Sequence, residues 1–345
     1  MNNAQLSERI DAAVAEHNFS GVIAIRRQRA VLYERAAGYA DRSNQVSNTL
    51  ETRFGIASGT KTFTALAIGT LIAAQKLALS TKLRDCLTLD FPRYSPAITV
   101  EHLLTHTSGI PDYYDEEKFT DYDNFSVGVP WHHLKGPRDY LAVFPDEPMK
   151  FEPGARFSYS NGGYILLGVL IEELTGMRYQ EYVEQAIFRP AGMDRSGYFA
   201  LNRLPEKTAL GYIEDEYGWR TNVYNLPIVG ASDGGAFTCV RDLDRLWQAF
   251  LSYQLLPQEL TERYITPWVT TSDERSDSFY GYGLWLLEQA PGAWRVSMVG
   301  NDGGVSFKSS VSRADNTQVT VMSNTTEGAW PVLRAIDQAL SEAPA

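Results

Sequence analysis

The chain has 345 residues, 44% of them hydrophobic and 21% charged, so it can bury a large core, and no repeat or low-complexity tract interrupts it. A net charge of −11 argues against nucleic acid or an anionic membrane surface as partner, because a polyphosphate surface would repel it. No run approaches the ~20 apolar residues that span a bilayer, and the first ten residues lack a basic stretch followed by an apolar core, so the expectation is a cytoplasmic enzyme without a secretory signal.

In chain order, the periodicity predicts a helix over 6–17 and strands over 21–26 and 31–36. The next segment, Phe54-Gly-Ile-Ala-Ser58-Gly-Thr-Lys61-Thr-Phe-Thr-Ala-Leu, opens a helix that is apolar nearly all round and therefore buried. A spacing of three places the Lys61 amine beside the Ser58 hydroxyl on one face. A serine hydroxyl is a weak nucleophile until a base takes its proton, and a desolvated lysine can be that base. His102 and His106 lie four apart, but no glutamate adjoins the first and no third ligand accompanies them, so a structural role is expected rather than a metal.

Segment 112–149 carries Tyr113, Tyr114, Phe119, Tyr122, Phe125, Trp131, Tyr140 and Phe144 among acidic residues, with no sustained period. It reads as a partly ordered wall or lid over a site. Tyr159-Ser160-Asn161 then opens an apolar helix through 164–171, which Gly176 is suited to end. Gly230-Ala-Ser232-Asp-Gly234 matches the G-x-S-x-G nucleophile elbow, yet no histidine follows it and Gly234-Gly235 would interrupt the helix an elbow needs. Ser232 is accordingly expected in a turn leading to Thr238, the expected cap of a helix carrying Leu243, Leu246, Trp247 and Phe250. Strands are predicted over 285–288, 294–299, 305–311 and 318–323, and a helix over 332–340.

The fold class that follows is α+β: an antiparallel sheet from both chain ends (about 1–57 and 275–345) flanked by terminal helices, with a mostly helical part (about 58–274) inserted. Cys86 and Cys239 read as buried small hydrophobes. With neither a P-loop nor a dinucleotide fingerprint, no cofactor and no metal are expected.

Ser58-x-x-Lys61, Tyr159-x-Asn161 and the phrases His102-Leu-Leu-Thr-His-Thr-Ser-Gly-Ile-Pro111 and Phe188-Arg-Pro-Ala-Gly-Met193 together resemble the serine beta-lactamase and penicillin-binding-protein superfamily, in its class C-like branch of esterases and D-peptidases. The likeness runs from about Phe19 to the C-terminal helix. Asn301-Asp302-Gly303 stands where that family carries Lys-Thr-Gly or His-x-Gly, a departure at the first position. The resemblance implies that Ser58 attacks an acyl carbonyl, Lys61 takes or relays its proton, Tyr159 serves the leaving group and then water, and Asn161 orients Lys61. It implies also that Asn301, Asp302, Gly303 and Gly304 border the substrate, with the Ser58 and Gly304 amides receiving the oxyanion. The expected activity is hydrolysis of carboxylic esters with neutral acyl groups, since Asn301 removes the cation that would anchor a substrate carboxylate. The alternatives are a beta-lactamase or D-amino-acid peptidase and, in another class, a catalytically weak penicillin-binding or sensor protein; the partner in each case is a small ester, amide or beta-lactam.

Overall fold

In the computed structural model, which describes residues 3–87, 93–272 and 277–342, both chain ends build one eight-stranded antiparallel sheet. Its strands are β1 (Gly21–Arg27), β2 (Ala30–Ala37), β3 (Val269–Thr270), β4 (Ser278–Tyr280), β5 (Trp285–Ala290), β6 (Ala293–Asp302), β7 (Val305–Ser312) and β8 (Thr317–Ser323), in the order β2-β1-β8-β7-β6-β5-β4-β3. The five longest helices are α1 (Asn3–Glu16), α2 (Thr60–Ala73), α3 (Asn161–Thr175), α4 (Val240–Leu251) and α5 (Ala329–Ser341).

Strand alternation divides the core in two. Along β1, Ile23 and Ile25 point into a cluster with Leu6, Ile10 and Val14 of α1 and Val332 and Ile336 of α5. Val22 and Ala24 point the other way, into the larger core shared with α2, α3 and α4. Pairing of Ile23 with Val321 sets the register; a one-residue slip would carry each of these side chains to the opposite face. Each fully buried side chain of this size contributes about 1.5 to 3 kcal/mol, which makes such a slip prohibitive.

The expected strands and terminal helices are present, each within a few residues. The expected boundary near 275 falls outside the described residues, but β3 joins the sheet edge from within the part assigned as helical. Two local expectations are corrected. The residue before α4 is Cys239, not Thr238, and Thr238 pairs in a short strand with Phe54 while its hydroxyl meets Ser196 Oγ at 2.7 Å. Cys239 is buried as expected, whereas Cys86, on a short surface helix, is only half-buried. Gly176 does end α3, in the left-handed conformation (φ 66°) that favours glycine.

Candidate active site

Ser58 lies in a 3-10 turn, Ala57–Gly59, that runs directly into α2, so Ser58 and Lys61 are one turn apart on a continuous helical path. The turn is strained: Ala57 has φ 44°, a left-handed conformation that disfavours a side chain by roughly 1–2 kcal/mol. The Ala57 carbonyl is held by the Thr60 hydroxyl at 2.7 Å and the Gly235 amide at 3.3 Å. Strand β6 passes so close that a Cβ on Gly300 would stand 2.0 Å from the Ile56 carbonyl oxygen. Glycine at 300 is therefore what lets the third motif reach the nucleophile turn.

Lys61, buried along with nearly all of α2, donates from Nζ to Ser58 Oγ at 2.9 Å, Asn161 Oδ1 at 2.7 Å and the Asp233 carbonyl at 2.7 Å. Three acceptors use all three N–H bonds of an ammonium. Burial lowers the Lys61 pKa, against the opposing pull of Asp233, Glu116, Asp112 and Asp302. Asn161 opens α3 behind Ser160, whose hydroxyl accepts from the Gly163 amide at 3.0 Å as an N-cap. Its Nδ2 donates to the Tyr114 carbonyl and to Glu116 Oε1, which leaves Oδ1 facing Lys61. Tyr159 stacks on Trp285 and places its ring 4.8 Å from Lys61 Nζ. Burial pushes its phenol well above the ordinary 10, with Glu116 adding to the shift, so the phenolate is disfavoured.

A cavity of about 270 Å³ opens over these groups. Tyr113, Tyr114, Phe125, Trp131 and Tyr140 of the aromatic segment line it, held by three short 3-10 turns (Tyr122–Asn124, Trp131–His133 and Pro137–Val143). Ser58, Asn161, Glu116, Asp233, Asn301, Asp302 and Gly304 also border it, and no lysine, arginine or histidine does among the described residues. Burial raises the Asp302 carboxyl to about 8 and that of Asp112 to about 6. Asp233 accepts from the Tyr113 phenol. Among the described residues no cluster of three or more His, Cys, Asp or Glu is placed to hold a metal ion.

In the third motif the Asn301 amide nitrogen, in the orientation that satisfies both of its groups, donates to the Val305 carbonyl at 3.1 Å and the Thr326 carbonyl at 2.8 Å. Asn301 thus braces the turn between β6 and β7. Gly303 faces Tyr122 and Ile213 rather than the cavity, and its carbonyl accepts from Asn222 Nδ2. The Gly304 amide, expected to face an oxyanion, donates to Thr326 Oγ1 at 2.9 Å. An oxyanion must displace Thr326 to use it.

Sequence reasoning passed over Asp233 and Glu116. Asp233 follows Ser232 in the G-x-S-x-G stretch, and Glu116 sits amid the aromatic run; neither has a spacing that would single it out. Ser232 itself is fully buried, and its carbonyl accepts from the Thr64 hydroxyl. His102 closes a reciprocal cap with Thr99 at the start of the short helix Val100–Leu104.

A family model described as Beta-lactamase matches residues 6–343. The chain is 30% identical over 308 residues to penicillin-binding protein 4* of Bacillus subtilis (strain 168), a match covering 84% of this chain and 64% of that protein, so the chain spans less than two thirds of that relative. It is 32% identical over 223 residues to esterase EstB of Burkholderia gladioli, covering 61% of this chain and 56% of that one. The crystal structure of a penicillin-binding protein from Bacillus halodurans superposes with a TM-score of 0.89 at 42% identity, covering 95% of this chain and 99% of the other.

Proposed function

Because the chain belongs to the beta-lactamase family, we propose that it is a serine hydrolase that forms an acyl-enzyme on Ser58, with carboxylic esters lacking an anionic acyl group as its preferred substrates. The observation that carries this reading is Lys61 Nζ at 2.9 Å from Ser58 Oγ with its pKa lowered by burial. Neutral Lys61 takes the hydroxyl proton as the Ser58 oxygen bonds to the acyl carbon. Tyr159, its ring 4.8 Å from Lys61 Nζ, relays the proton taken by Lys61 to the departing alkoxide. Water then enters, gives its proton back along the same path, and releases the acid. The Ser58 amide supplies one oxyanion donor and Gly304, once freed from Thr326, the second. One such donor contributes about 3 kcal/mol.

Preference against anions follows from the lining. Glu116, Asp233 and Asp302 border the cavity, no basic residue among the described ones lines it, and the neighbouring Lys61 amine is enclosed by Ser58, Asn161 and the Asp233 carbonyl. The same three groups favour a second reading, in which the acyl group carries an ammonium and the scissile bond is an ester or an amide. Three p-nitrophenyl esters of matched length separate these: heptanoate (neutral), 6-aminohexanoate (cationic) and adipate (anionic). The anion is expected to fall at least about tenfold below the neutral ester in kcat/KM, equivalent to about 1.4 kcal/mol. An amine ester above the neutral one selects the second reading; an anion equal to the neutral ester contradicts both.

Asp302 makes this preference pH-dependent. Its carboxyl, raised to about 8 chiefly by burial, is mostly neutral at pH 7 and ionised at pH 9. The anion-to-neutral ratio of kcat/KM is therefore expected to fall as pH rises through about 8, and Asp302→Asn to abolish that fall. A ratio flat with pH in the unsubstituted protein would show that Asp302 does not face the acyl group.

A further inference from the structure

His106 is buried in the left-handed region of backbone space, φ 58°. A non-glycine residue held there reflects contacts that over-determine it. Two of those contacts bracket Tyr159. The His106 carbonyl accepts from the Ser158 amide at 2.9 Å, and its ring Nδ1 accepts from the Ser160 amide at 3.0 Å. The ring also packs on Tyr159 itself, with centroids 4.4 Å apart at 37°, and on Tyr164 and Tyr280 at 4.9 and 4.7 Å.

An imidazole that accepts at Nδ1 carries its proton at Nε2. That Nε2 is shielded from solvent and has no hydrogen-bond partner among the described residues. A buried donor left unmade destabilises the fold, so packing alone would be better served by an apolar ring of the same size. What a phenylalanine would lack is the acceptor for Ser160. Burial, with a smaller contribution from Lys61, holds the His106 pKa well below its ordinary value, which keeps Nδ1 an acceptor.

We propose that His106 is a positioning residue for Tyr159: by accepting from the amides on both sides of it, His106 sets where the Tyr159 phenol stands relative to Ser58. This rests on the Ser58–Lys61–Tyr159 reading above. A displacement of about 1 Å in a reacting group can lower turnover on the order of a hundredfold.

The test compares two substitutions and places one of them in a double-mutant cycle. His106→Phe fills the space without an acceptor; His106→Asn leaves a larger hole but retains an acceptor on a side chain that tolerates the left-handed backbone. On the neutral ester, His106→Phe is expected to lower kcat roughly 10- to 100-fold with KM little changed, while His106→Asn stays within about threefold of the parent despite its smaller volume. In a Tyr159→Phe background, His106→Phe should lower kcat further by less than about threefold, since the hydroxyl it positions is gone. Should His106→Phe fail to fold, His106→Ala takes its place in the same cycle. Equal impairment of the Asn and Phe variants, or effects of His106 and Tyr159 substitutions that simply multiply, would overturn the proposal. Full activity in Tyr159→Phe alone would instead refute the Ser58–Lys61–Tyr159 reading on which it depends.

Discussion

Ser58→Ala is expected to lower kcat for the neutral ester on the order of 10⁴- to 10⁶-fold, the range seen when a covalent nucleophile is removed. The fold should tolerate the change. Lys61 keeps Asn161 Oδ1 and the Asp233 carbonyl as acceptors, both at 2.7 Å, and the strained turn at Ala57 remains anchored by Thr60 and Gly235. Thermal unfolding should therefore stay close to that of the parent. A Ser58→Ala variant retaining more than about 1% of the activity would point to another nucleophile, because the oxyanion site and binding alone leave far less.

Lys61→Met should be less damaging than Ser58→Ala but still severe. Methionine matches the length and flexibility of the lysine stem and fits an apolar helix, but it can neither take the Ser58 proton nor bridge Asn161 to Asp233. Loss of a general base lowers turnover by about 10²- to 10⁴-fold. The pH profile carries the sharper signature. Activity of the parent requires neutral Lys61, so it should rise with pH through a value below the ordinary 10.5, in the direction burial moves this amine. That rise should vanish in the residual activity of Lys61→Met. If the alkaline limb persists unchanged, Tyr159 or another group is the base.

The proximity of Ser58, Lys61 and Asn161 was legible in the chain because they sit in ordered motifs. Ser58 and Lys61 share one helical path, and Asn161, a hundred residues later, begins the helix that brings it to 2.7 Å from Lys61 Nζ. The sheet was legible for a related reason: β1 and β6–β8 alternate or run apolar in ways that only strands satisfy. The missed groups lie where the chain has no period. Asp233 and Glu116 reach the site from loops, and their role depends on which carbonyl and amide Lys61 and Asn161 meet. His106 read as structural because its spacing from His102 suggested only a metal to be rejected; its grip on Ser158 and Ser160 joins residues about fifty positions apart. Thr238 looked like a cap, but a short strand with Phe54 and a hydroxyl pair with Ser196 claim it first. The engagement of the Gly304 amide by Thr326 could not be inferred from a glycine-rich turn alone, since it depends on the loop after β8.

The most direct measurement is to trap the acyl-enzyme with a fluorophosphonate or a slowly released ester and map the added mass after tryptic digestion. Ser58 is the only serine in peptide 54–61, and Ser232 lies in peptide 221–241. The adduct is predicted on 54–61 and absent in Ser58→Ala; in Lys61→Met, which removes the cut after 61, it is predicted on the longer peptide 54–76, where Ser58 is again the only serine, and to form far more slowly. An adduct on 221–241, or labelling that survives Ser58→Ala at the parent rate, would contradict the assignment of Ser58 as the nucleophile.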